Sequence, residues 1–425
     1  MGRRMVNKDR MILYCDRLII TFLCLLIFFL PFAKAAIEVF VWYAFFFWIL
    51  KRALGYRAEV LWKMLPRTEL NKALGIFMAV NLAATIFTVN SGLSFRAFFG
   101  KELKFIAIYF MLVETINNKK RLQGIFVAII ASAALITVDA AVQYFRGVDF
   151  LRGYPYSRLT ASFISANGFA AWLIVIIPVF LGLLAVGKII SKKLKIILAA
   201  LTLILIIYLV MTYARGAWLG FLIGFLLVAW YIVRSATFKM RMLYLVVSIC
   251  LLVIFLFLPQ PIKNKVTAIG RIKFKIEDAT INQRIKSTVK MDDGSVFFRT
   301  KVWKEALRII RDFPVTGSGL NTYSIVARNY KSVEGGGIYP HNSYLQMAAE
   351  TGLVGLFAFL WVLFKFFQTG LKNLNQKKDF LVLGFLAGIL AFLVHAFFDV
   401  HLYSLQLVVL FWFMLGLSVA VMKLE

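Results

Sequence analysis

The sequence predicts an all-α, polytopic membrane protein with about twelve transmembrane helices and one large loop outside the membrane. The first observation is that 61% of the 425 residues are hydrophobic, whereas soluble domains contain about 45–50% apolar residues. The second is that the excess lies in long runs, for example 18–31, 198–210 and 243–258. Runs of about 18–20 apolar residues match the hydrocarbon core of a bilayer. Core helices of soluble proteins are shorter and amphipathic, so a soluble fold is excluded.

The net charge of +29 does not indicate nucleic-acid binding. Most Lys and Arg residues lie in short segments between apolar runs, where they carry a topology signal and face anionic lipid head groups. No basic stretch carries the interleaved exposed aromatic residues of a nucleic-acid binder. We expect lipids to be the partners of these charges.

The three cysteines, Cys15, Cys24 and Cys250, lie in or beside apolar runs and form no CxxC pair. Neither a disulfide framework nor a zinc site is therefore predicted. The first apolar run follows several basic residues but precedes no small-residue cleavage site. We interpret it as the first membrane span rather than as a cleavable signal peptide.

The apolar runs predict twelve spans, at 18–33, 35–50, 73–90, 103–114, 122–144, 161–186, 195–213, 216–233, 242–258, 342–364, 380–398 and 402–422. The fourth is short, and we expect it to begin nearer Phe95 and enter at an angle. Alternate loops are basic, namely 51–72, 119–121, 188–195, 234–241 and 365–378, and basic short loops stay in the cytoplasm. Both termini are therefore predicted to be cytoplasmic.

The segment 259–340 is predicted to lie on the outer side, because long loops cross the membrane regardless of their charge. The chain then divides into transmembrane helices 1–9 in 1–258, a large periplasmic loop in 259–340, and helices 10–12 in 341–425. Inside the loop, apolar residues at helical spacing alternate with basic ones from Phe298 to Phe313. This pattern predicts an amphipathic helix, ended by Pro314 and a glycine-rich turn.

Two residues of the outer side stand out as candidates for chemistry. Arg215 lies in a connection of a few residues between two spans, where a charge is costly and usually functional; the alternative is an arginine that anchors a helix end.

His341 follows Pro340 and opens the tenth span with Asn342. A helix start there offers N–H groups to phosphate and keeps the imidazole neutral, able to act as a base. A structural capping role for His341 is the alternative.

Other polar residues of the outer side have structural as well as functional interpretations. Arg299 fits an ordinary solvated basic face. Arg158 and Asn167 flank the start of the sixth span, and Asp399 lies in the last outer turn. Structural polar contacts would explain all three, as they would His395 and His401. The three histidines have no recognised ligand spacing, so we predict no metal site.

The stretch from Phe298 to Gly355 resembles the O-antigen ligase and O-antigen polymerase superfamily of bacterial envelopes. It combines FRTKVWKEAL, FPVTGSG, and a His-Asn pair followed after nine residues by Gly-x-x-Gly, the ligase pattern. The segment from Arg215 to Trp218 and the segment from Arg158 to Asn167 also resemble the family, although Ala161 stands where a glycine is common. The first third of the chain matches only in topology.

This resemblance implies a glycosyltransferase C-like fold and metal-independent glycosyl transfer without a cofactor. The donor would be a glycan on undecaprenyl pyrophosphate, and the ligase acceptor a sugar of the lipid A core. Arg215 and Arg299 would hold the pyrophosphate, and His341 would activate the acceptor. We expect substrate contacts from a further set: Arg158, Asn167, Trp218, Trp303, Asn342 and Asp399.

Other functions remain open at this level. A repeat-unit polymerase would use a similar donor and similar arginines, and another relative transfers glycan to a protein. A lipid-linked glycan transporter would show repeats between its halves and charges at the bilayer midplane. No such repeat is found, and the unusual charges cluster at one surface. The ligase-type spacing after His341 favours the ligase.

Overall fold

A computed structural model describes residues 2–55, 65–155, 158–186, 189–235, 294–330, 339–377 and 379–424. Within these ranges the chain is helical, apart from turns and one isolated bridge between Val148 and Pro155. In chain order the helices are α1 (Gly2–Phe29), α2 (Lys34–Gly55), α3 (Asn71–Ile86), α4 (Ser91–Ala97), α5 (Leu103–Thr115), α6 (Lys119–Arg146), α7 (Ala166–Ala185), α8 (Lys192–Met211), α9 (Arg215–Ser235), α10 (Gly294–Asp312), α11 (Tyr323–Val326), α12 (Ser343–Lys377), α13 (Phe380–His395) and α14 (Leu405–Lys423).

The predicted fold class is confirmed: the chain is an all-helical, polytopic membrane protein. Among the described residues, six helices are long and apolar enough to cross a bilayer, namely Lys8–Phe29, Lys119–Arg146, Ala166–Ala185, Lys192–Met211, Ser343–Lys377 and Leu405–Lys423. Shorter apolar helices occupy Asn71–Ile86, Arg215–Tyr231 and Phe380–His395. The ninth predicted span, 242–258, lies outside the described residues, so the number twelve stays a prediction.

Two predicted spans differ from the structure at their boundaries. The fourth, expected to begin nearer Phe95 than 103, begins at Ser91, because the Asn90 side chain accepts a hydrogen bond from the Leu93 amide and caps α4. A π-helical segment, Phe98–Glu102, joins α4 to α5. The tenth, predicted as one helix over 342–364, extends to Lys377 and is broken at Gly352.

The break at Gly352 results from a close contact with the turn that follows α10. Gly352 has φ 71°, and the Leu353 amide donates to the Pro314 carbonyl at 2.8 Å. Opposite the break, the Ser318 amide bonds the Ala349 carbonyl at 2.9 Å. The glycines of the FPVTGSG and Gly-x-x-Gly motifs therefore serve to lock α10 onto α12.

Helix α13 is packed between α7 and α9 at distances that only small residues allow. A Cβ atom on Gly384 would lie 2.4 Å from the Pro178 carbonyl oxygen of α7. On α9, Cβ atoms on Gly220 and Gly224 would lie 2.4 and 2.6 Å from carbonyl oxygens of Ala391 and Ala387. Small residues allow close backbone approach between membrane helices. This packing brings the start of α9 beside the end of α13.

A cluster of ion pairs lies at the opposite end of the bundle. Lys51 of α2 contacts Asp16 at 2.7 Å and Glu114 at 2.8 Å, and Arg121 contacts Asp16 at 3.2 Å. Arg52 also pairs with Glu114. These arginines and lysines belong to two of the basic loops for which the charge pattern predicts the cytoplasmic side.

We expect Gly352→Ala to lower the free energy of unfolding by about 1–3 kcal/mol. The new Cβ would lie 1.9 Å from the Val315 carbonyl oxygen and would also strain the positive φ. Thermal unfolding in detergent measures this loss. Gly75→Ala is the matched control, since no atom lies within 4 Å of its Cβ position and alanine favours a helix. Equal stability of the two variants would contradict the proposed lock.

Candidate active site

The turn between α13 and α14, residues 396–404, gathers most of the candidate residues. Its centre is the Asp399 carboxylate, which accepts a hydrogen bond from Asn167 Nδ2 at 2.9 Å and from the Val400 amide at 2.9 Å. His341 Nδ1 lies 3.3 Å from Asp399 Oδ1. Ser343 Oγ donates to the Asp399 backbone carbonyl at 2.8 Å. One turn therefore joins the starts of α7 and α12.

The carboxyl group of Asp399 is held in its charged form. Burial alone would raise its pKa, but the hydrogen bonds from His341, Asn167 and Val400, together with His401, hold the pKa well below its usual range. A charged carboxylate at Nδ1 selects the tautomer in which Nδ1 carries the proton. His341 Nε2 is then left with its lone pair, on a side chain that is 40% exposed.

The backbone around His341 fixes the direction of its imidazole. His341 has φ 47°, a left-handed conformation that is rare outside glycine. The next residue, Asn342, caps α12: its Oδ1 accepts from the amides of Tyr344 at 2.9 Å and Leu345 at 3.1 Å. The Phe298 ring contacts the imidazole edge-on, with ring centroids 6.2 Å apart.

Arg158 extends the hydrogen-bonded chain that leads to His341. Its Nε donates to the Thr212 carbonyl at 2.8 Å, and its Nη2 lies 3.4 Å from Asn167 Oδ1. Asn167 in turn donates to Asp399. The predicted residues Arg158, Asn167, Asp399 and His341 thus form one continuous chain, although 241 positions separate Arg158 from Asp399 in the sequence.

Ala161 departs from the family pattern at a position that favours glycine. It has φ 45°, in the left-handed region, and is fully buried. The Gln143 side chain holds this strained segment, because its Oε1 accepts from the amides of Thr160 at 3.0 Å and Ala161 at 2.9 Å. These two hydrogen bonds hold the left-handed conformation at Ala161.

Arg215 is the first residue of α9 and lies beside the same turn. A Cβ atom on its neighbour Gly216 would lie 3.0 Å from both His395 Cδ2 and Phe398 Cβ, so the glycine lets α9 start against the turn. Trp218 lies elsewhere. Its indole Nε1 donates to the Leu209 carbonyl at 3.1 Å, which joins α8 to α9 in the packed interior.

Arg299 approaches the turn from α10. The preceding Phe298 contacts His341, and Trp303, one helical turn later, packs edge-on against Phe397 with centroids 5.4 Å apart. The charges of Arg299 and Arg158 both lie close enough to the His395 imidazole to interact with it electrostatically. The buried Nε1 of Trp303 has no hydrogen-bond partner among the described residues, which leaves a donor for a ligand or water.

Two histidines contact each other where α13 meets the turn: His395 ends α13, and His401 lies in the turn. His401 Nε2 and His395 Nδ1 lie 3.0 Å apart, and both residues are buried. Burial lowers the pKa of His401 to about 4, although the nearby Asp399 charge opposes this shift. A neutral imidazole at this position follows, in agreement with the structural interpretation from the sequence.

A cavity on the other side of the turn was not predicted. It spans about 800 Å³, including the space at its opening, and is lined by Tyr403, Trp412, Asn81, Glu102 and Glu350, among others. Glu350 Oε2 accepts from the Asn321 amide at 2.8 Å. An acidic residue inside the predicted span 342–364 was the available signal, because ionisable residues in spans are usually functional or paired.

No group of three or more His, Cys, Asp or Glu residues within the described ranges is arranged to hold a metal ion. The site consists of arginines, one histidine and a hydrogen-bonded carboxylate. Such a set can hold a multiply charged anion and accept a proton from a hydroxyl group.

The fold and the site define a polytopic membrane protein with a cationic site at one end of its helix bundle. Residues 200–360 match the model of a family described as O-antigen ligase. This match confirms the predicted resemblance to the O-antigen ligase superfamily over this segment and supports a glycosyltransferase-like function of the ligase or polymerase type. The matched segment contains Arg215, Arg299 and His341. No curated protein matches the chain.

We expect Asn342→Ala to lower the free energy of unfolding by about 1 kcal/mol, because the helix cap of α12 is lost. Thermal unfolding in detergent measures the change. Asn342→Asp keeps a capping oxygen and should retain most of the stability. If Asn342 only contacted substrate, the alanine variant would unfold at the wild-type temperature.

Proposed function

We propose that this protein transfers a polysaccharide from undecaprenyl pyrophosphate to a lipid A core acceptor without a metal ion. The observation that carries the proposal is the hydrogen-bonded chain from Arg158 to His341, with Arg215 and Arg299 beside the same turn. It combines cations suited to a pyrophosphate with a histidine suited to an acceptor hydroxyl.

Arg215 and Arg299 bind the pyrophosphate of the donor. A guanidinium offers two parallel N–H donors to phosphate oxygens and keeps its charge at all relevant pH values. Arg215 also begins α9, so the first amides of this helix add N–H donors. As the bond between sugar and phosphate oxygen breaks, negative charge grows on the leaving pyrophosphate, and fixed cations stabilise it.

His341 removes the proton from the acceptor hydroxyl. Asp399 accepts the Nδ1–H hydrogen bond and favours the imidazolium that forms, while Nε2 takes the proton. The acceptor oxygen then bonds to the anomeric carbon of the donor sugar, and undecaprenyl pyrophosphate leaves. Trp303 supplies an unused N–H donor, and Arg158, Asn167 and Asn342 position these groups. For Trp218 we retain only a supporting role beneath Arg215.

The proposed location is the bacterial inner membrane, with both termini in the cytoplasm and the site on the periplasmic face. The site lies at the bundle end opposite the ion pairs of Lys51 and Arg121, whose loops carry the basic topology signal. In this arrangement 259–340 is the periplasmic loop between transmembrane regions 1–258 and 341–425. Part of this loop, α10, covers the site.

A repeat-unit polymerase of O-antigen or exopolysaccharide is the second candidate, because the same cationic site would suit its donor. Transfer to a protein and transport of a lipid-linked glycan are less favoured. The acceptor distinguishes them. Labelled glycan should appear on lipid A core for the ligase, on a growing glycan for the polymerase, and on a polypeptide for the protein transferase.

We expect Arg215→Ala and Arg299→Ala each to lower the transfer rate by at least about 100-fold, because each removes stabilisation of the leaving pyrophosphate. Transfer of labelled glycan by purified protein measures this. Arg215→Lys and Arg299→Lys should recover only part of the rate, since lysine does not bind bidentately. Arg96→Ala, which removes an exposed arginine of α4, is the control.

Full activity of both alanine variants would refute the proposal that Arg215 and Arg299 bind the pyrophosphate. A strong loss of rate on addition of a chelator would refute the metal-independent mechanism.

We expect His341→Ala to lower kcat by about 100-fold or more, with a smaller change in donor binding. Asp399→Asn should also lower kcat, because an amide no longer selects the His341 tautomer. Steady-state kinetics and separate donor-binding measurements resolve the two effects. A loss confined to donor affinity in both variants would contradict the assignment of His341 as the base.

A further inference from the structure

A lipid-facing groove runs between α1 and α6, away from the candidate active site. It is open on one side, spans about 1110 Å³ including the space at its open side, and has mostly apolar walls, with Leu25 and Phe28 contributed by α1. The groove exists because α6 presents Gly124 and Ala128 to α1. A Cβ atom on Gly124 would meet only Cys24 Sγ, at 3.9 Å, so a larger side chain there would occupy the groove.

The part of the groove from Arg17 inwards matches the length of one acyl chain. The lining on α1 extends from Leu13 to Phe28, and the stretch from Arg17 to Phe28 corresponds to about 16 Å at a rise of about 1.5 Å per residue. One leaflet contributes half of a hydrocarbon core of about 30 Å. A fatty acyl chain whose ester lies beside Arg17 would therefore fill the groove to the middle of the bilayer.

The mouth of the groove is positively charged. Arg17, Lys120 and Arg121 all line this end. Arg121 is already engaged, with Asp16 at 3.2 Å and the Thr115 carbonyl at 2.9 Å. Within the part of the chain that the structure describes, the exposed side chains of Arg17 and Lys120 have no protein partner. Two cations are thus available at the mouth of the apolar groove.

We infer that this groove binds an anionic glycerophospholipid, with one acyl chain between α1 and α6 and the phosphate at Arg17 and Lys120. Basic pockets between membrane helices bind anionic head groups in this way. The groove mouth lies at the end of the bundle that holds the Asp16–Lys51 ion pair, opposite the turn of Asp399. The bound lipid is therefore distinct from the lipid-linked donor. It stabilises the contact between α1 and α6.

Native mass spectrometry of the purified full chain, supplied with equal phosphatidylglycerol and phosphatidylcholine, tests this inference. Wild-type protein should retain phosphatidylglycerol preferentially. The double variant Arg17→Gln, Lys120→Gln should lose about tenfold or more in affinity, because each basic group near an anionic head group strengthens binding several-fold. The matched control, Arg10→Gln with Lys119→Gln, removes two exposed charges from the same helices outside the groove and should bind like wild type.

A second pair of variants tests the acyl-chain site with the charges intact. Ala128→Phe fills the groove and should reduce phosphatidylglycerol retention, whereas Val127→Phe, on an exposed face next to it, should not. The inference is overturned if wild type holds both lipids equally or neither. It is also overturned if each variant retains as much phosphatidylglycerol as its control. None of these results depends on glycan transfer.

Discussion

The partly buried charge of Asp399 is the constraint on which the candidate site depends. A carboxylate with only 17% of its side chain exposed stays charged only where hydrogen-bond donors replace water. Asn167 of α7, His341 before α12 and the amide of Val400 supply these donors. Removing one of them would leave a partly buried acceptor with one hydrogen bond fewer, at a cost of up to about 1–3 kcal/mol. The hydrogen bonds to this one carboxylate thus hold the start of α7, the segment before α12 and the 396–404 turn close together.

Close helix packing makes this arrangement possible. The glycines of α9 and α13 bring helix axes together, and the start of α9 therefore reaches the turn that contains Asp399. The close contact between the FPVTGSG turn and Gly352 likewise fixes α10 against α12, and α10 carries Arg299 and Trp303. Much of the family motif is explained by these contacts rather than by chemistry. The proposed chemistry is assigned to the few polar residues that the motif glycines bring together.

The sequence predicts the membrane class and the site residues for different physical reasons. Long apolar runs report directly on the bilayer, so most of the described helices coincide with predicted spans, whereas the sidedness indicated by the basic loops stays a prediction. Arg215 and His341 stand out because polar residues at span ends are costly. The sequence does not show that Asp399 pairs with His341, because no local pattern encodes a contact over 58 positions. The break at Gly352 and the role of Gln143 in supporting Ala161 were missed for the same reason, since both depend on tertiary contacts.

The position of Trp218 illustrates a further limit of motif reading. Its place beside Arg215 suggested a substrate contact, yet its indole bonds the Leu209 carbonyl inside the bundle. Trp303 received the same prediction, and its indole N–H has no partner among the described residues beside the turn. Residue type and proximity in sequence do not separate these two cases, whereas the hydrogen-bond partners do.

The most direct test of the central claim is an experimental structure of the protein with undecaprenyl pyrophosphate bound. The account predicts the pyrophosphate between the guanidinium groups of Arg215 and Arg299, with His341 Nε2 facing the space next to it and Asp399 still bonded to Nδ1. A pyrophosphate bound away from the 396–404 turn, or one that contacts neither arginine, would contradict it.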